Sequence, residues 1–234
     1  MTEKDRSLVP NSSRDVNAFL NKVAATPPGK RAGEPGRLVF ALDATASREP
    51  TWDTASHLHA QMFNVTESLG GLAVQLCYYR GFMEFHRTPW LEDADRLRRE
   101  MTSVRCLGGH TQIARVLEHA LAETRSQKVQ AVIFIGDAME ENADTLCHHA
   151  GQLGMLGVPV FIFQEGKNAR VEGVFRQIAK LSGGAWAPFD LRSADELRDL
   201  ISAVAVFAAG GRKALKDMSR PGHAARALLE QLGD

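Results

Sequence analysis

A short apolar run, Leu38-Val39-Phe40-Ala41-Leu42, ends at Asp43, and two hydroxyl side chains follow at alternate positions, Thr45 and Ser47. Oxygen donors spaced in this way along a tight loop can turn toward one centre. A small hard cation such as Mg²⁺ takes oxygen donors of this kind. The competing reading of the same residues is an N-cap cluster ahead of Pro50, where a helix would begin. Other candidate groups are weaker. Cys147-His148-His149 has soft-metal chemistry, but Cys147 falls on an apolar helical stripe and reads as a buried thiol beside exposed histidines. Gly108-Gly109-His110-Thr111 lacks the Gly-Lys-Ser/Thr ending of a phosphate loop, and His110 reads as an exposed loop residue. Glu140 and Glu141 could contact a partner or support Asp137, but they read first as the acidic opening turn of the next helix.

The elements that must position Asp43, Thr45 and Ser47 follow from periodicity. The run ending at Asp43 is too short for a helix, follows Pro35-Gly36 and reads as a buried strand. A helix is expected from about Pro50 to Ser68, with Trp52, Ala55, Leu58 or His59, and Met62 on one face. Gly70-Gly71 stops it. Leu72–Tyr79 and Phe82–His86 read as a hairpin turning at Arg80-Gly81, and Glu84 suits an exposed edge. A charged helix is expected over Leu91–Met101. Ile113, Val116, Leu117, Ala120 and Leu121 mark the helix that follows the Gly108-Gly109 loop. Val129–Asp137 is a second strongly apolar strand ending in aspartate. Beyond it come a helix through Ala143, Leu146, Cys147, Ala150 and Leu153, a strand over Val158–Phe163, and a helix through Val171, Val174, Phe175 and Ile178. A strand over Ala185–Phe189 is placed at an edge by Pro188, and a last helix runs through Leu197 to Ala208. Strands alternating with helices imply an α/β fold: a doubly wound, mostly parallel six-stranded sheet, Rossmann-like, with one antiparallel edge strand and helices on both faces.

Composition narrows the function. The chain has 234 residues, 44% hydrophobic and 24% charged, enough for one domain with a full core. A net charge of +0 argues against nucleic-acid binding through bulk charge. Three widely spaced cysteines, Cys77, Cys106 and Cys147, suit a reducing compartment better than a disulfide framework. Met1–Ser13 has no apolar core of a signal peptide, and no apolar run is long enough to span a bilayer. The expectation is a cytoplasmic protein with no membrane partner. Residues 1–36 read as a polar tail, a short helix through Val16, Phe19, Leu20 and Val23, and a Pro/Gly-rich linker. Residues 37–208 form the domain, and residues 209–234 a basic segment followed by a helix-compatible stretch.

Asp43-Ala44-Thr45-Ala46-Ser47 resembles the D-x-[ST]-x-S opening of a von Willebrand factor A domain, where it begins a metal-ion-dependent adhesion site. The resemblance covers about residues 37–208, and two further pieces occur in order. Thr111 stands in a Gly-rich loop opening a helix, and Asp137 closes the fourth strand. The resemblance implies strand order 3-2-1-4-5-6, which makes the Asp43 and Asp137 strands neighbours where the order reverses. It also implies Asp43, Thr45, Ser47, Thr111 and Asp137 as the metal-site residues for Mg²⁺, with Mn²⁺ or Ca²⁺ as substitutes. Thr45 and Ser47 would be direct ligands, Thr111 and Asp137 would exchange direct and water-mediated roles, and Asp43 would hold waters. Two departures stand out. Thr45 occupies a position where serine is commoner, and Asp137 is followed by Ala138 and preceded by Gly136, where a following glycine is usual. The implied function is a non-enzymatic protein-interaction module taking a partner's Asp or Glu. The Gly-Gly-His-Thr-Gln-Ile form resembles intracellular bacterial members, whose partners include AAA+ ATPases and stress-response complexes. The alternatives are a metal-dependent, phosphatase-like hydrolase and a scaffold that has lost its metal. A haloacid-dehalogenase-type site needs a second acid two residues after the first, where this chain has Thr45.

Overall fold

The computed structural model describes residues 34–48, 59–189 and 194–218. The expected N-terminal and C-terminal helices, and the Trp52 and Ala55 positions of the helix after the first strand, lie outside these residues. Six strands form one sheet: β1 (Gly36–Asp43), β2 (Leu72–Arg80), β3 (Glu84–Arg87), β4 (Ala131–Gly136), β5 (Val160–Glu165) and β6 (Trp186–Phe189). Their order is β3-β2-β1-β4-β5-β6. All pairings are parallel except the antiparallel β2–β3 hairpin.

β1 is buried along its whole length, and its side chains divide by period two. Leu38, Phe40 and Leu42 enter one core with α1 (His59–Thr66), α2 (Ala94–Ser103) and α6 (Ala194–Met218). Val39 and Ala41 enter the other with α3 (Ile113–Ser126), α4 (Ala143–Met155) and α5 (Ala169–Ser182). Each fully buried Leu, Val or Phe contributes about 1.5–3 kcal/mol relative to exposure, so the central strands are held from both faces. At the β6 edge Pro188 needs no ladder donor, as expected, and the Arg176 guanidinium lies 3.7 Å over the Trp186 ring. α6 passes the expected domain end at residue 208, is broken at Gly211 (φ 68°), and buries Ala209 and Ala214 in the first core. Among the described residues no helix is long and apolar enough to cross a membrane.

Two departures from expectation reassign residues to a different element. Phe82 and Met83 are not in the return strand; register pairs Arg80 with Glu84, so Gly81–Met83 form the turn and both apolar side chains are exposed. Leu91 does not open α2. It bridges Val74 by backbone hydrogen bonds of 2.7 and 2.8 Å, and Asp93 caps the helix by accepting from the Arg96 N–H at 2.7 Å.

Candidate metal centre

The register that pairs Leu42 with Ile135 brings the ends of β1 and β4 side by side. Asp43 is fully buried there. Its Oδ1 accepts the Thr45 N–H at 2.7 Å, an Asx-type turn that bends the chain off the strand. Its Oδ2 accepts the Tyr79 hydroxyl at 3.0 Å, from the strand position directly opposite on β2. Gly136 leaves the gap between the two strand ends. A Cβ there would stand 2.8 Å from the Phe134 ring and 3.5 Å from the Asp43 Cβ. The glycine before Asp137, a departure in the sequence, is thus required by packing. Asp137 follows directly, and its Oδ1 is buried without a hydrogen-bond partner.

The loop after β1 is fixed by backbone contacts on both sides: Ala44 N–H donates to the Tyr79 carbonyl at 2.9 Å, and Leu107 N–H to the Ala44 carbonyl at 3.1 Å. A single 3₁₀ turn, Ala46–Arg48, follows. It sets the Thr45 and Ser47 hydroxyl oxygens 3.1 Å apart, with Thr45 buried and Ser47 open to solvent. The sequence-predicted Asp43, Thr45 and Ser47 are therefore one local group.

Thr111 is buried at the mouth of α3 and belongs to a second group. Its hydroxyl donates to Glu141 Oε2 at 2.8 Å and accepts the Glu140 N–H at 3.0 Å. Glu140 Oε2 accepts the Thr111 N–H at 3.1 Å and lies 2.9 Å from His110 Nδ1. Glu141 Oε1 accepts the Ala114 N–H at 2.8 Å. This corrects the expectation that Glu140 and Glu141 open their own helix. α4 begins at Ala143 with Asn142 as its cap, and the two glutamates serve the free N–H groups at the start of α3 instead. Asn142, the stronger capping residue two positions on, was the signal that could have placed them outside α4.

Tyr79 is bonded to the first group and feels the charge of the second. Burial drives its hydroxyl pKa well up, and the charges of Asp43, Glu141 and Asp137 around it add to the effect. Burial likewise raises the pKa of Asp43, opposed by the Thr45 and Tyr79 hydrogen bonds and reinforced by the Asp137 charge. Burial raises Glu141 too, while its hydrogen bonds from Ala114, Thr111 and Ile113 pull it down. Glu140, exposed, is lowered by the Thr111 N–H and His110. The charges of Asp43, Asp137 and Glu141 thus all act on Tyr79, near an orphaned carboxylate oxygen and two adjacent hydroxyls, while His110 faces the exposed Glu140. Such an arrangement fits a hard divalent cation, whose charge would relieve the repulsion. Among the described residues no three His, Cys, Asp or Glu side chains surround a common point as a metal cluster would require. A cation here would need hydroxyl donors beside the carboxylates.

The other candidates resolve as structural. Cys147 is half-buried, His149 faces Glu118 at 3.2 Å, and His148 faces Gln152 at 3.0 Å. Cys77 is fully buried and its thiol is pushed up to about 12, chiefly by burial. Tyr79 is the site residue that the sequence reading did not contain, and Glu141 was read there first as part of the opening turn of α4.

No protein-family model matches the sequence, and no curated protein is similar to it. Solved structures share the architecture. The pilus adhesin SpaC from Lactobacillus rhamnosus GG superposes with a TM-score of 0.60 at 11% identity, over 82% of this chain and 31% of that one. Proximal thread matrix protein 1 from the mussel byssus, in a structure with a zinc-occupied adhesion-site motif, gives 0.59 at 14% identity, over 74% and 46%. The SpRpn10 von Willebrand factor A domain gives 0.56 at 10% identity, over 76% of this chain and 97% of that domain. The chain spans less than half the length of the first two. The fold is that of a von Willebrand factor A domain.

Proposed function

We propose that this chain is a protein-interaction module that holds a divalent cation, Mg²⁺ or in its place Mn²⁺ or Ca²⁺, through Asp43, Thr45, Ser47, Thr111 and Asp137. When bound, the cation supplies an electrophilic position for a carboxylate of a partner protein. The observation that carries this reading is the buried, unpartnered Asp137 Oδ1 beside the fully buried Asp43 carboxylate, with the Thr45 and Ser47 hydroxyls adjacent. Few of these donors are anionic, so a cation here keeps positive charge and an open position for an incoming Asp or Glu. The mussel protein, which shares the fold and holds zinc at its own adhesion-site motif, supports the metal reading. A binding role is favoured over phosphoryl hydrolysis because the position two residues after Asp43 is Thr45 rather than an acid. A cytoplasmic location enters through the three sparse cysteines, and a partner of the AAA+ ATPase or stress-response class through the resemblance of the Gly-Gly-His-Thr-Gln-Ile form to intracellular bacterial members.

The test is thermal unfolding with Mg²⁺ or Mn²⁺ against EDTA. A cation at 100 times its Kd stabilises the folded state by about 2.7 kcal/mol, which for a domain of this size raises Tm by about 5–10 °C. Asp43→Ala and Asp137→Ala should abolish the rise. A flat response in the wild type, or an equal rise in Asp43→Ala, would overturn the metal reading.

A further inference from the structure

The turn beside the metal centre carries a feature its own fold does not use. Phe82 is 73% exposed and Met83 80%, at the tip of the β2–β3 turn, and Leu107 in the neighbouring loop is 42% exposed. A turn tip ordinarily carries small or polar residues. This one is also held in place. Gly81 N–H faces the Leu107 carbonyl at 3.5 Å, His110 N–H donates to the Gly81 carbonyl at 3.2 Å, and the Arg115 guanidinium donates to the Met83 carbonyl at 2.9 Å. The Phe82 ring meets the His110 imidazole edge-on, centroids 5.4 Å apart, and His110 in turn contacts Glu140 at the mouth of α3. The apolar tip is therefore continuous with the rim of the metal centre.

The charges beside it have one sign to spare. Arg80 is paired with Glu84, and its guanidinium also holds the Arg105 carbonyl at 2.8 Å. Arg105 and Arg115 are exposed, and neither is paired with a carboxylate among the described residues. Arg115 uses Nη1 alone for the Met83 carbonyl and Gln112 Oε1, and its other N–H groups can donate to a partner. Among the described residues, two guanidinium groups without carboxylate partners thus belong to this corner, Arg115 on the Met83 carbonyl and Arg105 two residues before Leu107.

From this we infer that Phe82, Met83, Leu107, Arg105 and Arg115 form a docking surface for a protein segment in which an aromatic or aliphatic side chain is flanked by acidic residues. The apolar side chain packs on Phe82 and Met83, and the acidic neighbours meet Arg105 and Arg115. That another carboxylate of the same segment reaches the cation rests on the function proposed above; the apolar and arginine contacts do not.

The experiment pans a displayed library of random 12-residue peptides against the full chain in Mg²⁺. Enriched peptides are then synthesised, and their Kd is measured for the wild type, Phe82→Ser/Met83→Ser and Arg105→Glu/Arg115→Glu, with Mg²⁺ or EDTA. All four positions are exposed, and a melting curve checks that each variant folds. The expected result is enrichment of peptides combining acidic residues with an aromatic or aliphatic one, with affinity falling about 10-fold or more in each double variant. Affinity lost in the variants but indifferent to EDTA supports this surface and sinks the metal contact. Affinity lost in EDTA but unchanged in both variants overturns the surface and leaves the metal contact standing. Failure to enrich, enrichment without acidic or apolar residues, or tighter binding of a single-stranded RNA oligonucleotide to the same arginines overturns it as well.

Discussion

Removing the Glu141 carboxylate tests how the Thr111 half of the site is built. Its two oxygens accept the Thr111 hydroxyl and the Ala114 N–H, each at 2.8 Å, in a part-buried setting. In Glu141→Ala both donors lose their acceptor. A hydrogen bond to a charged group contributes about 1.5–3 kcal/mol and a helix cap about 0.5–2 kcal/mol. Against this stands the burial cost that raises the Glu141 pKa, together with repulsion from Glu140. The net loss expected in metal-free protein is about 2 kcal/mol, read from urea unfolding in EDTA. Glu141→Gln is the sharper variant. Its oxygen can replace only one acceptor, and its NH₂ must then face either Thr111 or the Ala114 N–H. Facing Thr111, the NH₂ takes the hydroxyl lone pair that the Glu140 N–H leaves free and that a cation would need. Mn²⁺ affinity should therefore fall about 10-fold or more, as an opposing dipole at a ligand position implies. The decisive assay is a double-mutant cycle with Thr111→Val, reading Mn²⁺ affinity by electron paramagnetic resonance. If Glu141 acts through the Thr111 hydroxyl, the effect of Glu141→Gln disappears in the Thr111→Val background. An undiminished effect there would refute the reasoning, as would a Glu141→Ala protein within 0.5 kcal/mol of wild type in EDTA, a margin about that of an ordinary surface substitution.

Two further outcomes are expected. His119, with its side chain only 9% exposed and its Nε2 2.7 Å from Gln75 Oε1, has its pKa lowered by burial, with Arg87 acting the same way and Glu123 opposing. The unfolded chain therefore binds the proton first: the His119 contribution is fully present above the unfolded pKa and is lost as pH falls from about 6.5 through the folded value. Urea unfolding in EDTA across pH 7 to 5 should show a wild-type slope of at most about 1.4 kcal/mol per pH unit from this group, absent in His119→Gln. In Gly109→Ala the new Cβ would overlap the Gly81 carbonyl oxygen, a backbone atom that cannot swing aside. A loss of about 1–3 kcal/mol and weaker Mn²⁺ binding should follow, while Gly108→Ala, where a Cβ meets nothing within 4 Å, should stay near wild type in both measurements.

The sequence by itself determined the alternation of strands and helices and the two aspartates at strand ends. These are local properties: an unbroken apolar run such as Leu38–Leu42 or Val132–Ile135 has one way to bury both faces, and the polar residue after it marks where the strand leaves the core. The strand order that makes β1 and β4 neighbours came from the resemblance, and the structure has it. What tertiary structure alone decided is which side chain serves which backbone. Leu91 has helical spacing with Ala94, yet it bridges Val74, because the edge of β2 offered unpaired backbone groups there. Phe82 and Met83 look like strand residues, and the Arg80–Glu84 register leaves them at a solvent-facing tip. Tyr79 reads as a core aromatic until the register with β1 sets its hydroxyl against Asp43. Glu140 and Glu141 are the plainest case. A carboxylate accepts from the nearest unsatisfied N–H groups in space, and at this corner those belong to α3, about 30 residues earlier in the chain, rather than to the helix that follows.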